Sequence, residues 1–132
     1  MSNEKLINHW VEGSDKNFED MLAIYNAERY DWALYIGHLV LEKLFKALYV
    51  KTTEKESAPI IHSLTRLASL CDIKLNEEQS RKLTIINTFN METKYETQKK
   101  EFYTLCTKEY AGEQIKIIKE FQEWLKEKLA QE

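Results

Sequence analysis

The stretch from Asp31 to Lys51 constrains the fold of this chain more than any other part of its sequence. At about 100° per residue, two apolar stripes run along nearly opposite sides of one helix. The polar arc between them is narrow and is centred on Glu42 and Lys46. A helix that is apolar around most of its circumference lies at the centre of a bundle or is shared with a partner subunit. One stripe contains Leu34, Gly37, Leu41, Phe45 and Leu48, and the other contains Trp32, Ile36, Val40, Ala47 and Val50.

A chain of 132 residues has little material with which to cover such a helix from every side. We therefore expect the helix to be both the centre of a bundle and part of a homodimer interface, since a second copy would cover an exposed apolar stripe. His38, at the edge of the polar arc, is predicted to lie at a helix interface rather than to bind a ligand. The residues expected to form the homodimer interface are Leu34, Leu41, Phe45 and Leu48.

Apolar residues at helical spacing predict further helices on both sides of this segment. The chain contains only three glycines and one proline, which favours long helices, and it shows no strand alternation and no internal repeat. We therefore predict an all-α fold, an antiparallel up-and-down bundle of about five helices, in a single domain over residues 1–132. The main helices are expected over residues 4–26, 31–51, 64–71, 76–90 and 111–129, with a loop at 91–100 and a short helix near 101–107.

Charge and cysteine usage narrow the classes of function. The formal net charge of -3 does not indicate the basic surface that nonspecific nucleic-acid binding requires. Cys71 and Cys106 have neither metal-ligand nor redox spacing and are interpreted as free thiols in a reducing compartment. Charged residues interrupt the most apolar stretch, and the first residues lack the apolar segment of a signal peptide. We expect a cytoplasmic protein with no membrane partner, no metal site and no cofactor.

Several short motifs follow one another along the chain. Residues 37–48 read G-H-L-V-L-E-K-L-F-K-A-L, and H-S-L follows a proline-containing loop at residues 62–64. Residues 89–95 read F-N-M-E-T-K-Y, and residues 106–110 read C-T-K-E-Y. In these motifs and in Trp10, which together span nearly the whole chain, the sequence resembles the HEPN domain family, and in particular a bacterial subgroup within it. The resemblance implies a HEPN-like helical bundle.

Ribonuclease activity is the best-known activity of HEPN proteins, and the resemblance implies how its site would be built. An arginine precedes a histidine by about four to six residues, where it stabilises a phosphorane-like state while the histidine moves the proton, and a homodimer completes the site. No arginine of this chain precedes a histidine at that spacing. We therefore favour a protein that is not an enzyme and has no catalytic residues of this kind. The residues compared are Arg29, Arg66, Arg81, His9, His38 and His62.

Glu42 and Lys46 are candidate binding residues because they lie four residues apart on the polar arc. One interpretation is an ion pair that contributes a few tenths of a kcal/mol when exposed. The other is a polar seam lining a groove for a nucleotide phosphate or a partner. For His62, the alternatives are a ring that packs under the loop and bonds the backbone, or a ligand contact at the start of the third helix. The structural alternative is favoured for all three residues.

Lys94 and Tyr95 are candidate binding residues because they form the basic and aromatic part of a polar loop, close to Lys99 and Lys100. Loops on rigid scaffolds often carry sites. The other interpretation is a solvated loop that Tyr95 anchors. The subgroup that the chain resembles carries Arg-Tyr-Pro where this chain has Lys94, Tyr95 and Glu96, so a planar guanidinium is replaced by a point charge and a stiffening proline is missing.

Three hypotheses of function follow. The first is a non-catalytic HEPN binding or accessory protein that forms a homodimer through the second helix and that, by resemblance, would act beside a minimal nucleotidyltransferase in a toxin–antitoxin-like pair. The second is an RNA-cleaving toxin with a degenerate or displaced site that uses Lys94, Tyr95 or His62. The third is a protein that binds a free nucleotide along Glu42, Lys46 and His62. The missing arginine-to-histidine spacing favours the first hypothesis over the second.

Overall fold

The computed structural model describes residues 2–131, so the two end residues of the domain expected over residues 1–132 lie outside the described part. The described residues form six α-helices and no strand, which confirms the predicted all-α bundle with one helix more than the five expected. None of these helices combines the length and the hydropathy of a membrane span. The helices are α1 (Asn3–Asn26), α2 (Tyr30–Thr53), α3 (Leu64–Leu70), α4 (Glu77–Asn87), α5 (Glu96–Leu105) and α6 (Lys108–Ala130).

The first two helices, α1 and α2, form an antiparallel hairpin. The chain reverses between them in a short turn in which Glu28 has a φ of 64°. The side-chain amide of Asn3 donates to the carbonyl oxygen of Glu54 at 2.9 Å, so the start of α1 lies beside the end of α2. The hydroxyl of Ser2 accepts a hydrogen bond from the amide of Lys5 at 3.2 Å and caps α1. The hairpin is therefore tied together at both of its ends.

The last helix, α6, packs on α2 and runs in the same direction. The hydroxyl of Tyr25 donates to the carbonyl oxygen of Lys108 at 3.2 Å, which places the start of α6 near the α1–α2 turn. The ammonium of Lys51 donates to the carbonyl oxygen of Leu129 at 2.5 Å and joins the far ends of α2 and α6. The three short helices between α2 and α6 return the chain to the end of the bundle at which α2 begins. The up-and-down arrangement therefore describes the α1–α2 hairpin, whereas α2 and α6 are parallel.

The rest of its own chain covers α2. Leu34, Leu41 and Phe45 are fully buried, and Leu48 is only 4% exposed. The predicted homodimer interface through these four residues is therefore wrong. The other five helices all contact α2, and their apolar side chains cover the first stripe and all of the second except its beginning, where Trp32 remains 47% exposed. A single copy of the chain thus supplies the cover that we expected from a second copy.

Small side chains let α1 and α6 approach α2 closely. A Cβ atom built at Gly37 would lie 2.6 Å from Cδ1 of Ile118 and 2.9 Å from Sδ of Met21, so α1 and α6 meet over this position. The buried hydroxyl of Ser14 donates to the carbonyl oxygen of Val40 at 2.7 Å. This bond satisfies a polar group that α1 carries into the interface.

Polar residues cap the short helices that follow α2. The hydroxyl of Ser63 accepts a hydrogen bond from the amide of Arg66 at 3.3 Å, as predicted for the start of the third helix. Asn76 and Gln79 form a capping box, with each side chain accepting from the other residue's amide at 2.8 and 3.1 Å. α4 ends at Asn87, slightly earlier than the pattern predicted.

The polar stretch at residues 91–100 is only partly a loop. α5 begins at Glu96 and ends at Leu105, so the predicted loop is too long and the short helix predicted near 101–107 starts too late. The backbone amide of Tyr95 donates to the side-chain oxygen of Gln98 at 2.8 Å, but Tyr95 is not one of the residue types whose side chain predicts a helix start. Phe102 is the one buried residue within α5, so the apolar periodicity is too weak to predict this helix.

Candidate functional site

The polar arc of α2 is buried. Glu42 and Lys46 are only 5% and 7% exposed, and the Lys46 ammonium donates to Oε2 of Glu42 at 3.0 Å. The expectation of an exposed ion pair was therefore right about the pairing and wrong about the exposure. Nδ1 of His62, in the loop before α3, lies 3.0 Å from Oε1 of the same carboxylate. Glu42 thus joins groups from two elements, and we call Glu42, Lys46, His38 and His62 the carboxylate cluster.

His38 lies in the interior of this cluster at 1% exposure. Its Nε2 donates to the carbonyl oxygen of His62 at 3.0 Å, and since a carbonyl only accepts, Nδ1 of the neutral ring carries no proton. Nδ1 has no hydrogen-bond partner in residues 2–131 and lies 3.8 Å from Oε1 of Glu42. Burial lowers the pKa of His38 below its ordinary 6.5, although the Glu42 carboxylate opposes this shift. His38 is therefore uncharged at neutral pH.

His62 is the member of the cluster that reaches solvent, with 45% of its side chain exposed. In the neutral ring, donation from Nδ1 to Glu42 fixes the proton there and leaves Nε2 as an acceptor. We expected the ring to bond the backbone, but it bonds a carboxylate. The backbone bond is made instead by the carbonyl oxygen of His62, which accepts from His38.

Trp10 of α1 covers the ammonium of Lys46. The Lys46 nitrogen lies 5.4 Å from the centroid of the indole ring, within the range of a cation–π interaction. The indole nitrogen of Trp10 is itself buried and lacks a hydrogen-bond partner within residues 2–131. Lys46 is therefore held between the carboxylate of Glu42 and an aromatic ring, and α1 closes this side of the cluster.

Lys94 and Tyr95 lie outside the carboxylate cluster. The ammonium of Lys94 donates to the carbonyl oxygen of Thr88 and lies 4.9 Å from the centroid of the Phe102 ring. Burial lowers the pKa of Lys94. Tyr95 is 78% exposed and precedes the first residue of α5, so its ring does not anchor the loop. The structure therefore brings three of the five candidate residues together and places these two at a separate surface.

A cleft of about 910 Å³ opens between the α1–α2 turn and the end of α5. Trp32 and Tyr103 both line it, and they are 47% and 63% exposed. Leu105, two residues further along the chain, is 51% exposed. The sequence pattern placed Trp32 in an apolar stripe and gave no signal for Tyr103. Local spacing cannot reveal this cleft, because it joins residues that are distant in the sequence.

The ionisable groups limit the chemistry that the molecule supports. Burial raises the pKa of the Cys71 and Cys106 thiols to about 12, so neither is a thiolate nucleophile at neutral pH. Within residues 2–131, no three or more His, Cys, Asp or Glu side chains are placed to hold a metal ion. The carboxylate cluster can orient the His62 ring, since Glu42 bonds that ring directly.

Comparisons with known proteins agree with the fold. The chain is similar to a solved crystal structure of TT1696 from Thermus thermophilus, with a TM-score of 0.73, 16% sequence identity, and coverage of 92% of this chain and 97% of that chain. At this identity the likeness shows the fold alone. No curated protein matches the chain. The model of the HEPN domain matches residues 7–129, which confirms the resemblance to the HEPN domain family. The chain therefore belongs to the HEPN domain family.

Proposed function

We propose that this chain is a non-catalytic HEPN-domain protein of the cytoplasm that binds a partner or ligand as an accessory protein. The observation that carries the proposal is the burial of three members of the carboxylate cluster, Glu42, Lys46 and His38, with the Glu42 carboxylate already bonded by Lys46 and His62. A catalytic acid and base must reach the substrate, yet Glu42, Lys46 and His38 are each less than a tenth exposed. The absence of the arginine-to-histidine spacing from the sequence supports the same conclusion.

The accessory protein is proposed to be a homodimer, with an interface at the cleft beside α5. Trp32, Tyr103 and Leu105 are large apolar or aromatic side chains that remain between 47% and 63% exposed. Aromatic side chains are enriched in the buried centres of protein interfaces and supply much of the binding energy there. A second copy of the chain is the proposed occupant because the HEPN resemblance implies assembly as a homodimer.

Two exposed tyrosines near the ends of α5 provide the test of this interface. Tyr103→Glu places a charge at the proposed centre, whereas Tyr95→Glu places the same charge outside it. We expect Tyr103→Glu to weaken the dimer by about tenfold or more, since central aromatic residues contribute about 1–2 kcal/mol or more. Sedimentation at micromolar concentration measures both variants. A monomeric wild-type protein would contradict the homodimer, and equal effects of the two variants would contradict its location.

A minimal nucleotidyltransferase is the proposed partner, in a toxin–antitoxin-like pair, and a free nucleotide is the proposed ligand of the solvent-facing His62. The HEPN resemblance supports the nucleotidyltransferase as partner. The exposed Nε2 acceptor of His62 supports nucleotide binding at this ring. A gene for a small nucleotidyltransferase beside the gene for this chain would support the pair. Calorimetric titration of the protein with ATP and GTP tests the ligand. Heat that is lost in His62→Ala supports binding there, and no heat with either nucleotide contradicts it.

RNA cleavage from a displaced site is the second candidate function, and the Glu42–His62 bond favours it. A carboxylate that bonds one ring nitrogen leaves the other free to take a proton from a ribose hydroxyl. Lys94 would have to act separately, because it lies outside the cluster. Purified protein incubated with total RNA, beside His62→Ala and Lys94→Ala, separates the two functions. Cleavage that either substitution abolishes would overturn the non-catalytic proposal.

A further inference from the structure

Lys94 holds its charge without a carboxylate beside it. Its ammonium donates to the carbonyl oxygen of Thr88 and lies 4.9 Å from the centroid of the Phe102 ring, and neither group is charged. It forms no ion pair with an acidic side chain of residues 2–131. The neighbouring Cys106 thiol is neutral at pH 7, because burial raises its pKa to about 12. Lys94 is therefore a cation with no anionic partner in the described chain, whereas charges that lose water are usually paired.

A cavity of about 360 Å³ opens beside this ammonium. Its volume lies within the range of small-molecule sites, and such sites combine apolar walls with a few polar groups. The apolar walls are Phe102, which is 5% exposed, and Leu105, which is 51% exposed. Lys94 and Gln98 are polar groups of the lining. The cavity thus joins an unpaired cation to an apolar surface.

We propose that this cavity binds a small carboxylate that carries a short apolar tail, with the carboxylate on Lys94 and Gln98 and the tail against Phe102 and Leu105. The site is separate from the His62 ring and does not rest on nucleotide binding there.

Two side chains of the cavity can donate to the carboxylate. An ammonium has three N–H bonds, and the Lys94 ammonium uses one of them on Thr88. The side-chain oxygen of Gln98 accepts from the backbone amide of Tyr95 at 2.8 Å, so the NH₂ group of Gln98 remains available to a ligand. A carboxylate only accepts, and a bond from the ammonium to it is charge-assisted. The donors therefore favour an anion over a neutral ligand.

The single positive charge favours a monoanion. Glu101 also lines the cavity, but its side chain is exposed and it is not among the groups that shift the pKa of Lys94. Burial lowers the pKa of Lys94, since the charged form has lost water without gaining an acidic partner. A carboxylate supplies that partner with one charge, and its tail covers the apolar walls, which a strongly hydrated phosphate does not.

Titration of the full chain with hexanoate, followed by ¹H–¹⁵N nuclear magnetic resonance at about pH 7, tests the site. We expect shifts confined to residues 88–105 and a Kd on the order of 1–10 mM, as suits so small a ligand. Acetate lacks the tail and hexanamide lacks the charge, so each should bind at least about fivefold more weakly. Binding of either as tight as that of hexanoate, or no binding of hexanoate at about 50 mM, would overturn the proposal.

The ammonium of Lys94 provides a second measurement in the wild-type protein. A bound carboxylate favours the charged form, so saturating hexanoate should raise the pKa of Lys94 from its lowered value toward the ordinary 10.5. The Cε–Hε signals of Lys94 report this titration. An unchanged midpoint in the presence of bound hexanoate would place the ligand elsewhere and overturn the proposal.

Lys94→Gln and Lys99→Gln are matched variants, because both remove a lysine charge near the start of α5. Lys99 pairs with Glu96 at 3.7 Å and does not line the cavity. We expect Lys94→Gln to weaken hexanoate binding about tenfold or more and Lys99→Gln to change it by less than about twofold. Equal effects would overturn the proposal. If Lys94→Gln does not fold, Glu101→Lys decides: it adds a cation to the lining and should tighten binding about twofold, and weaker binding would overturn the proposal.

Discussion

The chain contains two ion pairs with the same local geometry and different burial, which allows a controlled prediction about the carboxylate cluster. Glu42 and Lys46 are separated by 3.0 Å with side chains 7% and 8% exposed. Glu78 and Lys82 are separated by 2.9 Å with side chains 63% and 29% exposed. Both pairs have glutamate four residues before lysine on a helix, so only their surroundings differ. Lys46→Met and Lys82→Met are nearly isosteric changes that remove one charge from each pair.

The expected free energies follow from what each substitution leaves behind. Lys46→Met leaves the Glu42 carboxylate buried with His62 as its remaining partner, and removing one member of a buried pair costs about 3–5 kcal/mol. Because His62 still bonds that carboxylate, we expect the lower end, about 3 kcal/mol. Lys82→Met leaves an exposed carboxylate in water and should cost less than about 0.5 kcal/mol.

Urea unfolding followed by circular dichroism measures the difference. With a slope of about 1.5–2 kcal/mol per molar urea, Lys46→Met should lower the midpoint by about 1.5–2 M and Lys82→Met by less than about 0.3 M. The double variant Glu42→Gln/Lys46→Met removes both charges and should recover about 1 kcal/mol or more relative to Lys46→Met. Midpoints of Lys46→Met and Lys82→Met that agree within about 0.3 M would refute the burial of the cluster.

Three further predictions concern two glycines, His38 and the two cysteines. Gly37→Ala should lower the free energy of unfolding by about 1–2 kcal/mol, because its Cβ atom would lie 2.6 Å from Cδ1 of Ile118. Gly13→Ala should raise the free energy of unfolding by about 0.5–1 kcal/mol, because its Cβ atom comes no closer than 3.3 Å to the flexible side chain of Lys43. Urea unfolding measures both changes. Below pH 6.5 the unfolded His38 takes up a proton that the folded protein does not, so the free energy of unfolding should fall by up to about 1.4 kcal/mol per pH unit, a slope that His38→Gln removes. Cys71 and Cys106 have a pKa of about 12 instead of 9.0, so their thiolate fraction is about a thousandfold lower and a maleimide should label them only after denaturation. An acid-independent stability, or rapid labelling of the native protein, would contradict the last two.

The sequence predicts the helices well where caps and apolar periodicity agree. Ser63 and Asn76 lie at the starts of their helices, as side-chain acceptors in those positions indicate. α5 could not be placed accurately, because it buries only Phe102 and starts after a tyrosine. The position of a helix is thus predictable when its buried residues recur at helical spacing in the sequence. α5 lacks that spacing, because only one of its residues is buried.

Burial of the candidate site could not be predicted, since the same local pattern occurs in both environments. Glu42–Lys46 and Glu78–Lys82 have the same spacing and order in the sequence, yet only the first pair is covered by other elements. That cover comes from Trp10 on α1 and from the loop that ends at His62. Such information resides in contacts between distant parts of the chain, which one sequence does not contain.

The parallel packing of α2 and α6 has a consequence for the newly made chain. α2 ends at Thr53, and the helix that covers one of its sides begins only at Lys108. At about 5–20 residues per second, a ribosome needs on the order of several seconds to make the intervening segment. During that interval α1 can cover one stripe of α2 while the side that α6 will occupy stays open to other apolar surfaces. Aggregation during synthesis should therefore depend on elongation through residues 54–107 more than on elongation elsewhere.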